Sequence, residues 1–265
     1  MPYVVTRGVR TFYDVAGDGP AMLLLHCNPF DHRALMYQSA WFSQWFRVVS
    51  PDLRGYGRTD KVTKPYSLDD LTADVLGVID AERLRDIVLC GVSIGAVLTL
   101  KLGHEQPDLF RALIAVGASA PAKERGPNDP RVRGYREQGI AGYYRRHMEE
   151  TVSTSFAASE RGKYFLDMFA TNAAQLDPEA IVKMLQARAP ADLLPILSEI
   201  RLPTLFINGE FDSALTEGRR AAALVPGARH AMLPGTGHAC CLEDPASFNA
   251  CVTQFLECCA ILPKA

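Results

Sequence analysis

The 265-residue chain has no apolar run approaching the length of a membrane-crossing helix. Its first residues, Met1-Pro2-Tyr3-Val4-Val5-Thr6-Arg7, hold no apolar stretch of the signal-peptide kind. A membrane is therefore not expected as a partner. Charge of one sign is also scarce: the formal net charge is −2, which gives no reason to expect nucleic acid or an anionic surface. The seven cysteines include no C-x-x-C pair; Cys240-Cys241 and Cys258-Cys259 are adjacent, and Cys27 and Cys90 close apolar runs. That placement speaks against a disulfide framework or a thiolate metal site, and for reduced thiols with a cytoplasmic location as the default. No G-x-G-x-x-G follows a strand and no G-x-x-x-x-G-K occurs, so dinucleotide and P-loop chemistry are excluded and no cofactor is implied. Repeats and low-complexity segments are missing too.

What is present is an ordinary globular composition, 48% apolar, on a chain long enough for a sizeable core. Residues 3–6 and 10–16 read as strands joined by a turn at Gly8, and Ala21–His26 as a strand covered on both faces. A helix through about Trp45, a strand over Phe46–Pro51 and a Gly-containing loop over Asp52–Asp60 follow. Ser67-Leu68-Asp69-Asp70 has the form of a capping box opening a helix to about Leu84. A strand at 86–90, its helix to about Glu105 and a strand over Ala112–Val116 complete a strand–helix rhythm. From about Pro121 to Pro190 only helical patterns occur, over Gly139–Ser155, Ser159–Phe169 and Pro178–Arg188. The rhythm resumes with Leu202–Asn208, a helix near Glu217–Leu224, a strand over Arg229–Leu233 and a helix from Pro245 to Cys259. The expected class is α/β: a mostly parallel sheet with helices on both faces, formed by 1–120 and 191–265, with a helical cap at 121–190.

Gly91-Val92-Ser93-Ile94-Gly95 joins the strand at 86–90 to a helix, so Ser93 sits on a sharp strand-to-helix turn that presents its hydroxyl. A Cβ at Gly91 or Gly95 would press on the neighbouring strand or helix. The amide of Ile94 opens the helix without an intrahelical partner and can donate to an oxyanion. Ligands of open parallel sheets bind beyond the carboxyl ends of the strands. The groups found there are His26-Cys27-Asn28, Ser93, Glu210-Phe211-Asp212 and Gly237-His238. A serine, an acid and a histidine thus follow one another in chain order.

On these stretches, and on Asp52-Leu53-Arg54-Gly55-Tyr56-Gly57-Arg58, the chain resembles the α/β-hydrolase superfamily over nearly its full length, most of all its small capped esterases and lactonases, including enol-lactone hydrolases. The resemblance implies Ser93 as nucleophile, His238 as general base and then acid, and Asp212 orienting the imidazole. Glu210 competes for the acid role, but the family places the acid three residues beyond the glycine, which selects Asp212. The resemblance aligns the amide of Asn28 with that of Ile94 as the oxyanion hole, although Cys27 stands where the family usually has glycine. His26 matches a structural position of the family, while His147, inside the cap, reads as solvated. Serine in place of aspartate at the elbow argues against dehalogenase and epoxide-hydrolase chemistry. The implied reaction is hydrolysis of a small-molecule ester or lactone through an acyl-enzyme, without metal. Carbon–carbon bond hydrolysis by the same triad and ligand sensing on a hydrolase fold are the alternatives. From Lys123 to Arg146, seven basic residues against three acids leave an excess of four positive charges. That excess reads as solvated helix faces or as steering for an anionic substrate.

Overall fold

The computed structural model describes residues 2–121, 126–189 and 192–262. Eight strands form one sheet: β1 (Tyr3–Thr6), β2 (Val9–Ala16), β3 (Ala21–Leu25), β4 (Arg47–Pro51), β5 (Ile87–Val92), β6 (Phe110–Val116), β7 (Thr204–Gly209) and β8 (Arg229–Leu233), in the order β1-β2-β4-β3-β5-β6-β7-β8. β1 and β2 pair antiparallel, as do β2 and β4; from β4 to β8 every pairing is parallel. β3, β5 and β7 are buried along their whole length, as strands covered on both faces must be.

The helices are α1 (Met36–Phe42), α2 (Leu68–Ala81), α3 (Ile94–Glu105), α4 (Pro130–Glu149), α5 (Thr154–Ala158), α6 (Glu160–Ala170), α7 (Pro178–Arg188), α8 (Leu194–Leu197), α9 (Leu215–Leu224), α10 (Cys240–Glu243) and α11 (Pro245–Cys258). α2, α3, α8 and α9 pack in succession as one layer, and α1, α10 and α11 as another, with the sheet between them. α4 to α7 pack on one another between β6 and β7 in chain order. The sequence boundary at 190/191 lies outside the described residues. Among the described residues no helix is long and apolar enough to cross a membrane.

The capping box is real: Ser67 Oγ accepts from Asp70 N, and Asp70 Oδ2 accepts from Ser67 N at 2.9 Å. α2 stops at Ala81 rather than about Leu84, because Arg83 turns left-handed (φ 54°) and closes a Schellman pair, Leu84 N to Ile79 O and Arg83 N to Asp80 O. An arginine there gives no glycine signal to read. α1 likewise ends at Phe42, not Trp45, where bonds from Trp45 N and Phe46 N both return to Phe42 O. The helix expected over Gly139–Ser155 begins earlier, at Pro130 capped by Asp129, bends at Gly139 (φ 65°) and ends at Glu149. Asp177 caps α7 through the amides of Glu179 and Ala180, with Pro178 in its first turn, as expected.

The inserted helices correct one reading of surface chemistry and bear on the two alternatives left open for another. His147 is not solvated; it is fully buried, with Nδ1 2.7 Å from the Tyr135 hydroxyl. The basic excess is largely met by acids beyond the counted stretch: Arg136 pairs with Glu179, Arg145 with Glu149 and Asp167, and Arg131 and Arg146 with Glu150. Arg133 pairs with Glu137 within it, while Lys123, Glu124 and Arg125 lie outside the described residues. These faces are ion-paired surface rather than a free positive field.

Candidate active site

β5 runs out at Val92, and Ser93 takes φ 57° and ψ −109° before α3 begins at Ile94. A left-handed serine is strained, and the surroundings hold it there: Ser93 N donates to Val116 O at 2.7 Å, tying the turn to the end of β6. Both flanking glycines are required by close approach. A Cβ on Gly91 would lie 2.1 Å from Gly95 O, and one on Gly95 would lie 2.3 Å from Leu25 O.

His238 follows β8 on the loop Gly235-Thr236-Gly237. Its Nδ1 lies 2.7 Å from Asp212 Oδ1, just past the end of β7. Asp212 is buried, which by itself would push its carboxyl up; the hydrogen bond and charge of His238, the Ala214 amide and the Asn208 amide outweigh that and hold it below the usual carboxylate range. It is therefore a carboxylate at neutral pH. Glu210 does not reach this histidine, since its Oε2 accepts from Gly235 N at 2.8 Å instead. Gly117, at the end of β6, has φ 60°, and a Cβ there would stand 2.7 Å from His238 Cε1. The imidazole thus fits only because this position has no side chain, a role with no local signal in the sequence.

A second carboxylate supports the histidine loop. Glu243, buried in α10, accepts from Gly237 N at 2.8 Å and from Ser153 N at 2.9 Å. Ala239 N adds a bond to Thr151 O at 2.8 Å. Burial pushes the Glu243 carboxyl up by more than these amides and His238 pull it down. The turn before α5 and the loop carrying His238 are stapled together at this point.

On the other side of Ser93, His26 is fully buried; Leu53 N donates to its Nε2 at 2.8 Å, and its Nδ1 lies 3.0 Å from Cys27 O. Accepting at Nε2 requires the neutral ring with its proton on Nδ1, and burial lowers its pKa accordingly. The ring joins the loop after β3 to the loop after β4. Within that junction the Tyr56 hydroxyl donates to Asn28 Oδ1. Burial raises the Tyr56 phenol well above its ordinary value, so it remains a donor. Cys27 is buried and its thiol is pushed up to about 12, which leaves no thiolate for attack at neutral pH. All seven cysteines are free; Cys258 is exposed, the others buried or half-buried.

One cavity of about 410 Å³ brings Asn28, Ser93, Ile94 and His238 together. Arg131, Glu150, Val152, Met184, Leu185 and Arg188, from the segment between β6 and β7, line it as well. Arg188 was not singled out by the sequence; its guanidinium donates to Ser119 O and Pro121 O. Asp31, His32 and Asp52 bring ligand-type atoms within 4.8 Å of one another. Their carboxylates are engaged by the protein itself, Asp52 by the His32 ring and the amides of His32 and Arg58, and Asp31 by Arg33. The set braces two loops rather than presenting a metal site.

Comparison with known proteins agrees with this architecture. A model of the "Alpha/beta hydrolase family" matches residues 22–250. The AB hydrolase superfamily protein YisY of Bacillus subtilis is 28% identical over 93% of this chain and 95% of its own. A 3-oxoadipate enol-lactonase from Acinetobacter baylyi is 25% identical over 97% of this chain and 99% of its own. Among solved structures, the enol-lactonase from Burkholderia xenovorans LB400 superimposes with a TM-score of 0.88 at 27% identity, covering 96% of this chain and 99% of that one.

Proposed function

The chain belongs to the alpha/beta hydrolase family, and from that premise we propose that it hydrolyses a carboxylic ester or lactone of a small molecule through an acyl-enzyme on Ser93. The observation that carries this reading is the His238–Asp212 pair, 2.7 Å apart, in one cavity with a serine held at a left-handed turn. Asp212 fixes the proton on Nδ1, so Nε2 is the nitrogen free to act as base. His238 takes the proton from Ser93 Oγ as the oxygen attacks the carbonyl carbon. The charge that develops on the carbonyl oxygen is met by the backbone amides of Ile94 and Asn28. His238 then protonates the departing alkoxide, and a water activated by the same nitrogen releases the acid. With a lactone the leaving oxygen stays tethered, and the product is a single hydroxy acid or, from an enol lactone, its keto form. The helices at 121–190 form the cap over this chemistry. The enol-lactonase relatives support a lactone among the candidate substrates.

The test is a panel of acyl esters, lactones and vinylogous diketones, with wild type and Ser93→Ala, and covalent labelling by an organophosphonate. We expect ester or lactone turnover, stoichiometric labelling of Ser93, and a loss on the order of 10⁴-fold or more in Ser93→Ala. Labelling that survives this substitution would overturn the assignment of the nucleophile. Turnover of diketones without esterase activity would move the reading to carbon–carbon cleavage, and ligand binding without any turnover to a sensor.

A further inference from the structure

The Asp212–His238 pair does not stand alone; a line of hydrogen bonds reaches it from β8. His230, on β8, places Nε2 3.1 Å from Asn208 Oδ1, and Asn208, on β7, donates from Nδ2 to Asp212 Oδ2 at 2.8 Å. Asp212 Oδ1 accepts from His238 Nδ1 at 2.7 Å and from Ala214 N at 2.8 Å. An ionised carboxylate can only accept, so the NH₂ end of Asn208 must face Asp212. The carbonyl end must then face away, where it needs a donor, and His230 supplies one by carrying a proton on Nε2. Each link thus fixes the next: the charge on Asp212 sets the amide's orientation, and the amide sets the tautomer of His230. The amide has no room to swing. Asn208 is 1% exposed, and α9 closes over it at Gly218, where a Cβ would fall 2.1 Å from Asn208 Oδ1.

We propose that Asn208 and His230 are positioning residues for the catalytic acid: Asn208 anchors one oxygen of Asp212 so that the other is aimed at His238, and His230 locks the amide in the orientation that does this. The proposal rests on Asp212 acting as the acid of the triad. The two carboxylate oxygens have separate duties, Oδ2 held by a side-chain donor and Oδ1 shared between the imidazole and the Ala214 amide. Without the anchor the carboxylate can turn about its Cβ–Cγ bond, and the imidazole loses its fixed direction. Small misplacements of this kind cost rate at the chemical step more than they cost binding.

The experiment compares Asn208→Leu, His230→Leu and His230→Gln with wild type. It records kcat and KM on the best ester, the melting temperature, organophosphonate labelling, and the downfield proton NMR resonance of His238 Nδ1–H. That resonance reads the bond to Asp212 with no substrate present. We expect Asn208→Leu to lower kcat on the order of 10–100-fold with KM changed by about twofold or less, and to shift and broaden the resonance. His230→Leu should move both readouts the same way, by about a tenth to a third as much in kcat. His230→Gln, whose amide can still donate to Asn208 Oδ1, should recover most of the loss. A folded Asn208→Leu with kcat and resonance unchanged would overturn the proposal, as would glutamine doing no better than leucine at 230. Should Asn208→Leu not fold, the two variants at the half-buried His230 decide. Wild type that neither turns over esters nor labels at Ser93 would instead count against the hydrolase reading, while the resonance still tests the anchor.

Discussion

Asn28 carries two separable groups at one position. Its backbone amide is assigned to the oxyanion, while its side-chain carbonyl accepts from the buried Tyr56 hydroxyl. Asn28→Ala keeps the first and removes the second. Activity should remain within about tenfold, where loss of a donor acting directly on the oxyanion costs ~10²–10³. Stability should drop by about 1–3 kcal/mol, because a buried hydroxyl is left without its acceptor. Denaturant melts and kcat/KM on one ester measure both. At the acid, Asp212→Asn should cost several orders of magnitude in kcat and Glu210→Gln less than about twofold; the reverse ranking would move the acid to Glu210. The candidates Ser93, Asp212 and His238 stand out in the sequence because each lies in a short motif at a strand end. Gly117, Asn208, His230 and Glu243 do not: Gly117 meets His238 and His230 meets Asn208 across the sheet, while Asn208 and Glu243, though near Asp212 and Gly237 in the chain, stand in no motif that marks their contacts. Nothing beside Gly117 in sequence says that an imidazole will pass within contact of it.

Elements announced by their ends were read well, and those ended by tertiary contacts were not. The capping box at Ser67 and the Asp177-Pro178 start were both visible. The Asp129-Pro130 start gives the same signal but no readable helix follows it in the sequence, because Gly134, Gly139 and the dense arginines of that stretch hide any apolar stripe. Ser67→Ala removes one partner of the reciprocal cap on an exposed turn that does not line the cavity. It should lower stability by about 1 kcal/mol and leave kcat/KM unchanged. A change in kcat/KM would mean that the start of α2 communicates with the cavity.

For the whole molecule, stability against pH should follow the brace between the loops after β3 and β4. Burial of Asp52 raises its pKa, but the His32 ring and its charge overcome this and bring it from 3.8 down to about 2. Its contribution is therefore present above about pH 4 and lost as pH falls toward about 2. Burial pulls His32 down, but Asp52 leaves it above its ordinary 6.5, so that contribution is present below 6.5 and lost as pH rises through the folded value. Thermal melts across pH should show both in full between about 4 and 6.5, and Asp52→Asn should flatten both limbs. The architecture itself was readable because strand–helix alternation admits few connections. The charge balance of the helices between β6 and β7 was not: helical periodicity pairs Arg145 and Arg146 with Glu149 and Glu150, just past where a linear count stops, and packing brings in Asp167 and Glu179.

The Glu243 staple bears on how the cavity breathes. Its two oxygens hold the amides of Gly237 and Ser153, next in the chain to the cavity-lining His238 and Val152, and Ala239 N to Thr151 O closes the same seam. An opening that parted this seam would leave a buried carboxylate without its donors and carry the His238 loop out of register. The three amides at 153, 237 and 239 therefore belong to one cooperative opening unit and should exchange with solvent deuterium at a common, slow rate. Pro130, at the start of α4, and Arg188, at the end of α7, line the same cavity; if substrate and product pass by that side, the amides there should exchange faster.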